Sequence, residues 1–290
     1  MAILFTILRD GNQFFASADG GPRFYVGRRV PYEGNIGLYN IFAGTKIERL
    51  NYSAADYTNA FGFWARFVEP TAACEGRNFL TLNTYDSAFF TFGFGQFAAH
   101  VPEGDFVIYF RTILGLPEAA DYFPNLTLSG GHICNADSRS APVPLEDKDS
   151  TARLMKYLNP DLSEVQDAEV INAAKLIHLT SKVPAARDAQ VRIMTDAYRE
   201  FMRRGDARVG LDGRTAAECC VVADLLHHGR GGRMLWPLVD AALKSRNPFE
   251  SLIDIGAPRW KSRKDKLKAE IRARPDFATL RWNRAGGSFV

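Results

Sequence analysis

Residues 75–96, with the sequence EGRNFLTLNTYDSAFFTFGFGQ, constrain the fold of this chain more than any other stretch. Two short β-prone runs, FLTL and FFTFGF, are separated by the turn-forming sequence NTYDS. Residues 54–75 before them carry aromatic and aliphatic side chains at helical spacing. We therefore predict a helix that ends in the carboxylate of Glu75, with Gly76 as its C-cap, followed by a β-hairpin with Asp86 at its turn.

The ends of this helix and one interruption can also be predicted. Ser53 suits the N-cap position, and Asp56 supplies an acid in the first turn. Pro70 lies inside the apolar pattern and is expected to kink or break the helix, because proline cannot donate the backbone hydrogen bond of a helix interior. A short second turn would then carry Glu75.

The rest of the chain predicts an α+β fold that is mainly helical. Residues 1–50 hold two β runs, 2–8 and 13–26, and form a β-rich N-terminal segment that ends in a glycine-rich, irregular stretch, 32–45. Residues 51–290 are assigned to one catalytic domain. The polar stretch 135–150 is interpreted as an internal lobe boundary, a lid or a plain connector. The predicted helices after the hairpin span residues 105–114, 150–158, 163–180, 185–204, 215–228, 234–245 and 262–274.

The composition excludes several classes of function. A content of 46% hydrophobic and 24% charged residues is that of an ordinary globular protein, and no stretch is apolar for long enough to span a membrane. A net charge of +3 is too small for a nucleic-acid-binding surface but suits an anionic polymer such as a bacterial cell wall. The start of the chain, MAILFTILRDG, lacks the basic region of a signal peptide. If the substrate lies outside the cytoplasm, we therefore expect the protein to be delivered by a non-classical route.

Other candidates for chemistry have structural explanations. The four cysteines have no metal-binding spacing, and we predict free thiols, no metal and no cofactor. His227 and His228 are adjacent and point in different directions on a helix, so we interpret them as complements of the helix dipole. The basic segment 259–274 has Leu267 and Ile271 as an apolar stripe, which is typical of a solvated surface helix.

Cleavage of a glycosidic bond requires a protonated acid and a second group that stabilises the transition state or activates water. Glu75 follows Ala72, Ala73 and Cys74, so apolar surroundings are expected to raise its pKa by desolvation. Asp86 lies in a turn, where an ionised carboxylate is easily solvated. The two acids are thus expected to differ in environment, as a division into acid and anion requires.

The residues Glu75-Gly76, Tyr85-Asp86 and the TFGFG sequence of 91–95 resemble the catalytic Glu–hairpin–Asp–Thr segment of phage-type lysozymes. The resemblance implies a lysozyme-like fold with Glu75 as general acid. It implies that Asp86 orients or activates water or balances charge, and that Thr91 positions that water. The implied mode of hydrolysis is inverting, with a water molecule between carboxylate and sugar.

The resemblance also implies the substrate-binding groups. Gln96 stands where phage-type lysozymes usually have His, and its amide could bind sugar hydroxyl or N-acetyl groups. Strand alternation places Thr91, Gly93 and Gly95 on one face, which is expected to line the groove. It places Phe90, Phe92 and Phe94 on the other face.

The implied activity is that of a muramidase acting on the glycan strands of peptidoglycan. The protein would be a phage endolysin, or a bacterial effector with a secretion apparatus and a cognate immunity protein. The alternatives are a catalytically silent lysozyme-like binding or structural module, a lytic transglycosylase, and an enzyme that cleaves chitin or chitosan.

Overall fold

A computed structural model describes residues 1–136 and 141–290. It is 47% helical and 17% strand, in agreement with the mainly helical α+β class predicted from the sequence. The helices are α1 (Ala54–Phe61), α2 (Phe63–Cys74), α3 (Asp105–Leu114), α4 (Ala119–Tyr122), α5 (Ala152–Leu158), α6 (Asp167–Lys182), α7 (Pro184–Val209), α8 (Ala216–His228), α9 (Leu235–Leu243), α10 (Pro248–Asp254), α11 (Lys261–Arg272) and α12 (Asp276–Thr279). Among the described residues, no helix combines the length and apolarity needed to cross a membrane.

The chain forms two compact units, each made of two segments. The first unit comprises Met1–Tyr52 and Asn78–Ile193, and the second comprises Ser53–Arg77 and Met194–Val290. Helix α7 begins in the first unit and continues into the second. The predicted division after residue 50 follows the β-rich start of the chain and stays a prediction. Of the stretch 135–150, residues 137–140 lie outside the described residues, and the remainder belongs to the first unit.

The first unit contains an antiparallel sheet whose seven strands follow one another in chain order. These strands are β1 (Phe5–Asp10), β2 (Gln13–Ala18), β3 (Phe24–Tyr32), β4 (Asn35–Tyr39), β5 (Leu82–Asn83), β6 (Thr91–Phe92) and β7 (Phe97–Ala98). Strand β4 lies in the stretch 32–45, so the prediction of irregular structure there was wrong. A Cβ on Gly37 would lie 2.6 Å from atoms of Thr84, so this glycine serves close packing of strand β4 and not a loop.

Helix α6 packs on strands β1, β2 and β3, and aromatic side chains fill the core of the first unit. Nine of them among the described residues are at most 1% exposed: Tyr52, Phe90, Phe92, Phe94, Phe97, Phe106, Tyr109, Phe110 and Phe123. Burial of one such ring stabilises the fold by roughly 1.5–3 kcal/mol. Three further strands, β8 (Leu126–Ser129), β9 (His132–Asn135) and β10 (Val143–Pro144), form a small antiparallel sheet in the order β10-β9-β8.

Helices α2 and α8 pack together in the second unit, with a hairpin of β11 (Trp282–Asn283) and β12 (Ser288–Phe289). The ring of Phe67 on α2 stacks on Phe277 and lies 4.6 Å from Phe289. The prediction that the helix breaks at Pro70 was wrong, because α2 runs through that residue. The helical segment is interrupted at Gly62 instead, where φ is +57° and the N–H group donates to the carbonyl of Thr58.

Candidate functional site

Glu75 is the C-cap residue of helix α2, in the second unit. Its N–H group donates to the carbonyl of Thr71 at 3.1 Å, and Gly76 follows with φ of +93°, the left-handed conformation that ends many helices. The predicted position at a helix end is therefore confirmed. The expectation of apolar surroundings was wrong. The Glu75 side chain is 17% exposed, and its carboxylate contacts Arg263 and His227, which tertiary packing brings to the helix end.

Arg263 joins Glu75 to a second carboxylate, that of Asp224. One guanidinium nitrogen, Nη1, donates to Glu75 Oε1 at 2.6 Å, and the other, Nη2, donates to Asp224 Oδ1 at 2.8 Å. The imidazole Nε2 of His227 lies 3.7 Å from the same Glu75 oxygen. Because one planar guanidinium bridges the two acids, it fixes the direction of both carboxylates.

Asp224 lies in the interior of helix α8 and has no solvent exposure. It also contacts the buried guanidinium of Arg230 and accepts a hydrogen bond of 2.9 Å from the hydroxyl of Thr71. Burial alone would raise the pKa of Asp224, but Arg263 and Arg230 lower it to about 2. Asp224 is therefore ionised at neutral pH. Glu75, Asp224, Arg230 and Arg263 form what we call the Glu75 cluster, in which two carboxylates face two guanidiniums.

Two further titratable side chains near this cluster are uncharged at neutral pH. The ring of His228 stands edge-on to Trp260, with 4.5 Å between the centroids, and burial together with Arg263 lowers the pKa of His228 to about 4. Burial and the charge of Asp224 raise the pKa of the Cys74 thiol to about 12. Neither group supplies a cation or a thiolate there.

Most of the Glu75 cluster was missed at the sequence level. One signal was present: Asp224 interrupts the apolar run CCVVADLL of a predicted helix, and a charge in such a place is usually buried with a partner. His227 follows three residues later on the same helix face. The interpretation of His227 as a dipole complement did not include its contact with Glu75. Leu267 and Ile271 are buried as predicted, but Arg263 is only 11% exposed, not solvated.

Asp86 lies in the turn between strands β5 and β6 of the first unit. Its Oδ2 atom accepts a hydrogen bond of 2.9 Å from the amide of Asn83, and its Oδ1 atom accepts one of 2.9 Å from the N–H group of Ala88. Thr91 pairs with the same Asn83 across the strands. The structure thus brings Asp86 and Thr91 together through one shared neighbour.

Two buried side chains fix this turn. The amide of Asn159 donates to the carbonyls of Thr84 and Phe89, both at 3.0 Å. The carboxyl group of Glu169 accepts a hydrogen bond from the Thr84 hydroxyl and one of 3.2 Å from the N–H group of Leu38. Burial raises the pKa of Glu169 to about 7, against the effect of its hydrogen bonds. The conformation around Asp86 therefore depends on a buried acid.

Thr91, Gly93 and Gly95 were predicted to share one face of a strand, but the strand ends before Gly93. Strand β6 covers only Thr91 and Phe92, and the chain turns at Gly93, where φ is +87° and the carbonyl accepts the N–H group of Gln96 at 3.0 Å. Thr91 is 5% exposed, Gly93 and Gly95 are buried, and Gln96 is half-buried.

Gly93 faces a buried glutamine. A Cβ on Gly93 would lie 2.5 Å from Oε1 of Gln190, and that oxygen accepts a hydrogen bond of 3.1 Å from the N–H group of Phe94. The absence of a side chain at Gly93 thus lets Gln190 reach the turn. This packing explains the glycine in structural terms, and the substrate-binding roles of Gly93, Gly95 and Gln96 stay predictions.

One group of side chains has donors suited to a metal ion. Single ligand atoms of Glu103, His132 and Glu146 lie within 4.8 Å of one another. Arg111 already bonds both carboxylates, at 2.7 Å to Glu103 and at 3.0 Å from Nε to Glu146. A metal ion would have to displace this guanidinium, so we interpret the group as an ion-pair network.

The predicted site residues are divided between the units: Glu75 belongs to the second, and Asp86, Thr91, Gly93, Gly95 and Gln96 belong to the first. Comparison of the chain with models of known protein families, with curated proteins and with solved structures gives no match. A proposal for function therefore rests on these residues and their surroundings.

Proposed function

We propose that this protein is a peptidoglycan hydrolase of lysozyme-like fold, a muramidase that cleaves the β-1,4 bond between N-acetylmuramic acid and N-acetylglucosamine. The observation that carries the proposal is the carboxylate of Glu75 at the end of helix α2, directed by Arg263. The resemblance to phage-type lysozymes supports it further, since Asp86 and Thr91 follow in the same order and share Asn83.

In the proposed reaction, Glu75 gives its proton to the glycosidic oxygen while the bond from that oxygen to the anomeric carbon breaks. A water molecule adds to the anomeric carbon and loses a proton to Asp86, and Thr91 holds that water. The products are two shorter glycans, one with a new reducing end. The proposal requires that both carboxylates reach one glycosidic bond.

Arg263 imposes a condition on this mechanism. Nη1 of Arg263 donates a hydrogen bond to Oε1 of Glu75, whereas a general acid must direct its own proton at the glycosidic oxygen. Glycan binding therefore has to weaken the contact between Arg263 and Glu75. Asp224, 2.8 Å from the other arm of the guanidinium, keeps the charge of Arg263 compensated when Glu75 takes up a proton. We assign Arg263 as a positioning residue.

The partners follow from the substrate. Gln96, Gly93 and Gly95 would contact sugar hydroxyl and N-acetyl groups, and the net charge of +3 favours an anionic wall. The protein would act on the wall or in the periplasm, as a phage endolysin or as an effector that has an immunity protein. Chitin or chitosan is the alternative glycan.

A catalytically silent binding module is the second candidate. The observation that favours it is the ion pair of 2.6 Å between Arg263 and Glu75, which occupies one oxygen of the proposed acid. Such a module would bind glycan strands and leave them intact. Binding without cleavage by the wild-type protein would therefore identify this alternative.

The test is the loss of turbidity of purified sacculi. We expect clearing by the wild-type protein and a rate about 10²–10⁴-fold lower for Glu75→Gln, the usual contribution of general acid catalysis. Glu250→Gln is the matched control, since Glu250 is a partly exposed carboxylate of the second unit with its own partners, Lys268 and Arg272. Intact sacculi with wild-type protein, or equal clearing by Glu75→Gln, would overturn the proposal.

A further inference from the structure

A cavity of about 420 Å³ opens in the first unit where strands β2 and β3 meet helix α6. Its walls are mixed in character. Phe24, Tyr25 and Ile47 contribute apolar surface, and Arg23, Lys46 and Lys182 contribute three cations. This volume is in the range of pockets that hold small molecules.

The cations that line this cavity outnumber its carboxylates three to one. Glu48 contributes the only carboxylate among the residues that line it, and in the part of the chain that the structure describes none of these four charged groups has an ion pair within 4.0 Å. Arg23 and Lys46 both lie over the ring of Phe15, at 5.9 and 5.5 Å from its centroid. Two cations on one ring leave a positive field that an anion would relieve.

Tyr25 contributes its ring to the wall of the cavity. The residue is 4% exposed, and its hydroxyl group is buried with no hydrogen-bond partner among the described residues. Burial raises the pKa of Tyr25 to about 12, against the charge of Arg28, so the phenol keeps its proton at neutral pH. This hydroxyl group has almost no exposed surface, so a ligand in the cavity would contact the ring of Tyr25 and not its hydroxyl group.

We propose that this cavity is a binding site for a carboxylate attached to an apolar body. The guanidinium of Arg23 offers the paired donors that match a carboxylate, with Lys46 as a second charge. Phe24 and Ile47 would cover the apolar part. The shared chemistry is found in free organic acids and in the C-terminal ends of peptides. The site goes beyond the proposed wall hydrolysis, because its lining includes none of the residues assigned to that reaction.

Isothermal titration of the full chain carrying Glu75→Gln tests this proposal without turnover, so failure of the hydrolase proposal leaves the result readable. The probes are hydrocinnamate as free acid, N-acetyl-alanyl-alanine as peptide end, the uncharged amide of each, and inorganic phosphate. We expect at least one acid to bind with Kd below about 1 mM, and its amide about tenfold or more weaker. The acid that binds more tightly identifies the source of the ligand, a free organic acid or the C-terminal end of a peptide.

Variants connect binding to the named cations. Arg23→Met and Lys46→Met, at exposed positions, should each weaken acid binding about tenfold or more, while Lys148→Met, at an exposed lysine paired with Asp149, should not change it. Circular dichroism checks that each variant is folded. If Arg23→Met or Lys46→Met fails to fold, Lys182→Met is measured in its place. Amides that bind as tightly as acids, phosphate that binds as tightly as the acids, or no binding by either acid would overturn the proposal.

Discussion

Replacing Asp224 by Asn tests whether the Glu75 cluster stabilises the second unit. The substitution preserves size and leaves one oxygen for the Thr71 hydroxyl, but it removes the charge that compensates Arg230 and Arg263. Asp224 and Arg230 have no side-chain exposure, and Arg263 has 11%. Breaking a buried ion pair by removing one partner typically costs about 3–5 kcal/mol, a large part of the roughly 5–15 kcal/mol that stabilises a whole domain.

The pH dependence of this cost has a definite sign. The pKa of Asp224 is lowered to about 2 in the folded protein, against about 3.9 in an unfolded chain. A lowered pKa means that the charge stabilises the fold above the unfolded value and that this stability is lost as the pH falls through 2. A shift of about two pKa units corresponds to roughly 3 kcal/mol. The difference in free energy of unfolding between wild type and Asp224→Asn should therefore decrease by about that amount as the pH falls from 6 to 2.

Urea unfolding followed by tryptophan fluorescence is the assay, because all four tryptophans belong to the second unit. The control is Asp240→Asn, whose partner Lys244 lies 2.7 Å away but with both side chains exposed. An exposed pair of this kind contributes about 0–1 kcal/mol. If Asp224→Asn costs no more than Asp240→Asn, or if its cost is independent of pH, the cluster does not stabilise the fold as argued.

Three further predictions address other groups. Burial raises the pKa of Glu169 from 4.5 to about 7, so the free energy of unfolding of wild type, relative to Glu169→Gln, should fall by about 3 kcal/mol as the pH rises from 4.5 through 7. Parallel curves in urea titrations followed by circular dichroism would contradict this. Arg263→Lys keeps the charge but loses the bridge between two carboxylates, so wall hydrolysis should fall about tenfold or more with the pH profile shifted, and an unchanged profile would refute a positioning role. Burial raises the pKa of the Cys219 and Cys220 thiols, so neither should react with a thiol reagent until the protein unfolds, and rapid labelling of the native protein would contradict this.

Regular elements could largely be predicted because apolar periodicity is a local property. The helix predicted at 105–114 has the bounds of α3, and that predicted at 215–228 differs from α8 by one residue. Helix α10, Pro248–Asp254, was not predicted because its seven residues are too few to show the apolar periodicity of a helix. The break at Gly62 in place of Pro70 shows that packing tolerated a proline inside α2.

The site could be predicted only in part. The hairpin turn with Asp86 and the helix end with Glu75 come from neighbouring residues, so their local sequence was enough. Arg263 lies 188 residues after Glu75 along the chain, and no local pattern can predict such a contact. Glu169 was missed for the same reason, since its partner Thr84 is 85 residues away.

The most direct test of the central claim is mass analysis of the fragments released from sacculi. A muramidase that uses Glu75 as its acid should release muropeptides with hydrated, reducing N-acetylmuramic ends, and Glu75→Gln should release none above background. Anhydro-muramic ends would instead show a lytic transglycosylase, and reducing N-acetylglucosamine ends would place the cleavage at the other bond. Either of these ends, or hydrated muramic ends formed equally well by Glu75→Gln, would contradict the assignment.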